Sequence, residues 1–276
     1  MGFTSHSPAP IGIWKCWASL PAYWFLLISL IFREIYLLWG IMSQAVFDAA
    51  AHITHHRDSS GRYSLIHSPV YSHDGLQYRL NHDPDNKSSN PLRKEIIDTF
   101  IKQLRAMQSH YSEVYGFRFD LSVPDGMSTK DSNILISELF TRLRGEFTAK
   151  AWSNQPIKKF AYGWCREKEK AKQVHYHCWI ALPYFQVRTA GFGNEGMIGR
   201  ISRIWSDLTD RVSRVHLPQG RYIIRQGDHD SLVAMVERVS YLAKNRGKGG
   251  DKKGQPKIFG TVAKLAMRQP FVLFKG

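Results

Sequence analysis

The chain has 276 residues, with 38 Lys+Arg against 23 Asp+Glu, a formal net charge of +15. Its 43% hydrophobic and 22% charged residues are ordinary globular composition, which excludes collagen-like, disordered and small disulfide-stapled classes. Cys16, Cys165 and Cys178 are too few and too scattered for a disulfide framework or a four-cysteine zinc site. A reducing, cytoplasmic compartment and a polyanionic partner follow as expectations.

The charge is uneven. Residues 244–276 hold nine Lys/Arg and one acid, Asp251, so this stretch carries +8. Residues 16–32 carry no charge at all. Three readings fit this N-terminal segment: an over-long start with translation beginning at Met42, a membrane anchor, or a buried helix. A spanning helix needs about 20 apolar residues, which makes its length borderline. Residues 1–41 are therefore set apart from a polar, loop-rich region at 42–92. The scattered histidines of that region match no ligand spacing.

From residue 93 the pattern tightens. Ile97, Phe100, Ile101, Leu104 and Met107 recur at helical spacing and predict an amphipathic helix over 91–111. Phe117, Phe119, Leu121 and Val123 alternate with polar residues and predict a half-buried strand. Ser128 and Asp131 are spaced to cap a helix with Leu135, Leu139, Leu143 and Phe147 inward. Two strands follow at 160–167 and 174–182, then a helix marked by Met197, Ile201, Ile204 and Leu208. An extended run at 215–225 is broken by Pro218-Gln219-Gly220, and Asp228 or Asp230 caps a last helix that runs on through Tyr241. The order β-α-β-β-α-β-α predicts an α+β, ferredoxin-like (split βαβ) antiparallel sheet with helices on one face and the other face free. This domain is expected to span 93–265, followed by a basic tail at 266–276.

Three elements could carry chemistry. His175 and His177 are two apart on a predicted strand, so they share a face with Cβ atoms about 7 Å apart, close enough to chelate one ion. Asp120 should face away from the apolar side of its own strand and is one candidate third ligand. Glu167 and Glu169, at the hairpin, are rivals, because turn register is not readable from sequence. Tyr241 and Lys244 lie at i and i+3 on one flank of the last helix. A tyrosine with its usual pKa of about 10 is a poor nucleophile unless a cation favours its phenolate. Each element alone is better explained as ordinary surface or boundary residues.

Together, an acid-bearing strand, a His-x-His strand and a Tyr-x-x-Lys segment, in that order, resemble the HUH endonucleases. More narrowly the chain resembles the inovirus replication-initiator group, also named for the YagK/YfjJ C-terminal domain. The resemblance rests on Arg118-Phe119-Asp120-Leu121, Trp164-Cys165-Arg166-Glu167, His175-Tyr176-His177, Ser240-Tyr241-Leu242-Ala243-Lys244 and Phe259-Gly260-Thr261. It implies a rolling-circle replication initiator, a metal-dependent endonuclease that nicks single-stranded or supercoiled origin DNA. Tyr241 would form the 5′-phosphotyrosine and Lys244 would assist it. His175 and His177, with Asp120 or alternatively Glu167, would hold Mn²⁺ or Mg²⁺. Arg246, Lys248, Lys252, Lys253 and Lys257 would hold the DNA backbone. A host replication helicase or polymerase is the implied partner, with no small-molecule cofactor. Membrane association is expected only if residues 16–32 are retained as an anchor. The rival reading is a non-catalytic prophage-encoded DNA-binding or regulatory protein.

Overall fold

A computed structural model describes residues 56–83, 85–86, 90–149, 155–168, 173–193, 196–248, 256–262 and 265–268. Two short antiparallel pairs come first: β1 (Leu65–Ile66) with β4 (Leu92–Arg93), and the hairpin β2 (Val70–His73) and β3 (Leu76–Arg79). Helix α1 (Lys94–His110) leads into the long strand β5 (Glu113–Ser122). Helix α2 (Thr129–Thr148) is capped by Ser128, whose hydroxyl accepts from the Asp131 N–H. Strands β6 (Ala161–Glu167) and β7 (His175–Pro183) pair next, followed by α3 (Met197–Leu208). Strands β8 (Val215–His216) and β9 (Arg221–Arg225) share the far edge of β5, and Gly220, at φ +108°, makes the break between them. Asp228 caps α4 (His229–Ser240), a single 3-10 turn covers Tyr241–Ala243, and β10 (Phe259–Thr261) closes the order β10-β6-β7-β5-β8.

The chain is α+β with an antiparallel sheet, and both faces of that sheet are covered. On one face Tyr115, Phe117, Phe119 and Leu121 of β5 join Tyr176, Cys178, Ile180 and Leu182 of β7 beneath α2 and α3. On the other, Val114, Ala161, Cys165, Trp179 and Ala181 pack under α1 and α4. The expectation of helices on one face only is therefore corrected. The reason is visible along β7, where the second alternation phase is also apolar beyond His177, so it too must be buried. Small residues let those helices approach: a Cβ on Gly163 would lie 2.6 Å from Phe100 of α1, and one on Gly116 would lie 3.0 Å from Met235 of α4. The hairpin β2–β3, in the region read as loop-rich, adds Tyr71 and Tyr78 to this second core.

No helix among the described residues is long and apolar enough to cross a membrane. Residues 16–32 lie outside the described residues.

Candidate metal centre

The sheet face that buries Trp179 and Ala181 changes character at its other end. The register opposes Asp120 to His177, Cys165 to His177 and Glu167 to His175, so all these side chains emerge on one face. Over them lies the chain just after α4. Tyr241 and Lys244 belong to the 3-10 turn and its cap rather than to the α-helix expected from sequence. Leu242 is fully buried and anchors the turn. The backbone N–H of Asn245 donates to Pro91 O at 2.8 Å, and its side chain accepts from Arg93 Nε at 2.8 Å.

Glu167, His175 and His177 form a group whose donor atoms all lie within 4.8 Å of one another. His177 Nε2 is 3.2 Å from His175 Nε2 and 3.1 Å from Glu167 Oε2, and His175 Nε2 is 4.0 Å from that oxygen. Asp120 sits behind the ring instead, its Oδ1 2.7 Å from His177 Nδ1. Of the three acids weighed as third ligand, Glu167 is the one among the described residues that joins the two Nε2 atoms. Asp120 lies on the opposite nitrogen, because its strand approaches β7 from the other side. Glu169 falls outside the described residues.

The donor chemistry fits a divalent cation. The tautomers assigned from their partners put the His177 proton on Nδ1, facing Asp120, and the His175 proton on Nδ1, 3.3 Å from Gln173 O. With both protons so placed, the two Nε2 lone pairs face Glu167 Oε2, which accepts no hydrogen bond among the described residues. Three electron-rich atoms facing one another repel unless a cation joins them. Ligand bonds of about 2.1 Å put neighbouring octahedral donors about 3.0 Å apart, close to two of the spacings here, while the third, His175 Nε2 to Glu167 Oε2, is longer at 4.0 Å.

Lys244 ties this group to the tyrosine. Its Nζ donates to Tyr241 Oη at 2.8 Å and pairs with Glu167 Oε1 at 2.8 Å. Burial pushes the Glu167 carboxyl up, but His177, when without a cation it also carries a proton on Nε2, and Lys244 outweigh it and hold the group down at about 2. Asp120 is likewise held at about 2, burial being outweighed by His177 and Arg118. Burial lowers His175, and His177 acts the same way when it is protonated. For Lys244 burial works downward, yet Glu167 and Tyr241 raise it overall, so it stays a cation. Close packing shapes the rest: a Cβ on Gly247 would lie 2.7 Å from Glu167 Cγ.

A scan of known families matches residues 78–261 to the family described as the YagK/YfjJ C-terminal domain. The chain belongs to that family. No curated protein and no solved structure matches. The YagK/YfjJ match contains Asp120, Glu167, His175, His177, Tyr241 and Lys244, and it ends on the last residue of β10.

The basic residues divide. Arg246 and Lys257 are exposed, as a phosphate contact requires. Lys248 is corrected: it is 3% exposed, its Nζ has no hydrogen-bond partner among the described residues, and burial lowers its pKa. A lysine so enclosed cannot reach a DNA backbone. Lys252 and Lys253 lie outside the described residues. Sequence reading also assigned no role to Arg118 or His216. Arg118 chelates Asp120, and the exposed His216 brings Nδ1 to 3.8 Å from Asp120 Oδ2. Their only local signal was membership of the same strand phase as Asp120 or of its cross-strand neighbour.

Proposed function

We propose that this protein is a metal-dependent, HUH-type endonuclease on a ferredoxin-like sheet, nicking single-stranded origin DNA to start rolling-circle replication. One observation carries the reading: the convergent Glu167–His175–His177 donors are joined through Lys244 to the hydroxyl of Tyr241. A structural salt bridge needs no tyrosine hydroxyl beside an ion site, whereas phosphoryl transfer to tyrosine needs both.

Glu167 Oε2, His175 Nε2 and His177 Nε2 would hold Mn²⁺ or Mg²⁺, which supplies Lewis-acid neutralisation of charge on the scissile phosphate. Tyr241 Oη attacks phosphorus in line; the new P–O bond forms as the bond to the 3′ oxygen breaks. The tyrosine hydroxyl gives its proton to solvent water as it attacks, and the leaving 3′ oxygen takes one from water, so the products are a 5′-phosphotyrosine and a free 3′-hydroxyl. Lys244 is already protonated, so it stabilises the phenolate rather than removing its proton. Asp120 keeps the His177 proton on Nδ1 and so leaves Nε2 free. Arg246 and Lys257 add affinity for the DNA backbone without reading sequence.

The test is incubation with Mn²⁺ and single-stranded DNA tiling the region around the protein's own gene, followed by denaturing gels. A covalent protein–DNA adduct is expected. Tyr241→Phe should lower it by on the order of 10⁴-fold or more while DNA is still retained. His175→Ala should abolish cleavage and largely spare retention. Retention without any adduct, or an adduct in Tyr241→Phe, rejects nicking and leaves the non-catalytic DNA-binding reading.

A further inference from the structure

Arg118 is 8% exposed and lies on β5 opposite Trp179, at the boundary between the apolar and polar ends of the sheet face. A buried guanidinium needs partners for its charge and its fork of donors. Both prongs go to Asp120: Nε to Oδ1 at 3.0 Å and Nη2 to Oδ2 at 3.0 Å. That oxygen Oδ1 is the one 2.7 Å from His177 Nδ1. The guanidinium carbon also sits 4.9 Å from the centroid of the Tyr241 ring, within cation–π range. Arg118 Nη2 is 2.9 Å from His177 Nδ1 as well, but with the ring proton there this is packing, not a hydrogen bond. One side chain thus touches the carboxylate that orients a metal ligand and the ring that bears the nucleophile.

We propose that Arg118 is a positioning residue with two arms. Through Asp120 it aims His177 Nε2 at the cation site, and over the Tyr241 ring it holds the phenol while Lys244 fixes the hydroxyl. The second arm rests on the nicking reading; the first rests only on the metal site. A lysine at this position keeps a charge but cannot grip both carboxylate oxygens, so the role belongs to the guanidinium.

Mn²⁺ affinity, followed by electron paramagnetic resonance on the full chain, tests the first arm. Arg118→Gln should raise the Mn²⁺ dissociation constant about 10- to 100-fold, the usual effect of losing an outer-shell partner. Arg118→Lys, which keeps a cation in the packed site, should also bind Mn²⁺ more weakly than wild type. The double variant with Asp120→Asn should bind no more weakly than Asp120→Asn alone, because both act through one carboxylate. For the second arm, single-turnover adduct formation at saturating Mn²⁺ and DNA should stay on the order of 10²-fold slow in Arg118→Gln. A dissociation constant within twofold of wild type in both single variants overturns the first arm. Full rescue of the rate by saturating Mn²⁺ overturns the second. If wild type binds Mn²⁺ through Glu167, His175 and His177 but never forms an adduct, the nicking reading and the second arm fall together. The affinity measurements then still decide the first.

Discussion

Along β7, His175 and His177 occupy the same face as Trp179 and Ala181, yet the two ends of that face do opposite things. At the far end Trp179 is fully buried, edge-on to Phe100 at 5.4 Å, under helices brought close by Gly163 and Gly116. At the near end the cover is a 3-10 turn that delivers Tyr241 and Lys244, and the face becomes a charged, hydrogen-bonded centre. Arg118 stands at the border. Two periods of one alternation therefore serve a core and a site, and what differs is the element packed above. Helix α1 covers the apolar end, its Phe100 against Trp179, and the exit turn of α4 covers the polar end.

That contrast predicts separable losses. The largest stability effect belongs to the apolar end: Trp179→Ala should cost about 3–5 kcal/mol in denaturant unfolding. Trp179→Phe should cost clearly less, since Trp179 Nε1 has no hydrogen-bond acceptor among the described residues and its removal relieves an unmet donor. At the polar end, Glu167→Gln should weaken Mn²⁺ binding by on the order of 10²-fold. It should change the unfolding midpoint of the metal-free protein far less than Trp179→Ala does. If Glu167→Gln unfolds the protein as Trp179→Ala does, the polar end is part of the core and the contrast collapses. Gly163→Ala should be smallest, about 1–3 kcal/mol of overpacking, because its Cβ would meet Phe100 and the Trp179 indole. Titration of the folded fraction with Mn²⁺ should then match wild type.

Much of this was legible beforehand. Ser128 and Asp131 make the cap their spacing implied, and Asp228 caps the last helix. His175 and His177 share a face, as any i and i+2 pair on a strand must. The covered second face was signalled by Trp179 and Ala181, apolar in the same phase as the histidines, although histidine at two positions masked the pattern. The burial of Lys248 had no such signal. A lysine in a Gly-rich basic run reads as solvated, and only the fold of residues 244–248 against Glu167 encloses it.

The sequence by itself determined the main strands and helices between residues 93 and 240, the caps at Ser128 and Asp228, and the residue types that bind cations or attack phosphates. These depend on periods of about 2 and 3.6 residues and on side-chain chemistry, which are local properties. Only the tertiary structure decided that Glu167 rather than Asp120 completes the donor group and that Asp120 orients His177 from behind. It also decided that Lys244 joins the tyrosine to that group. Those outcomes depend on strand order, cross-strand register and the path of the chain after α4. They are set by packing between residues far apart in sequence, which no local pattern records.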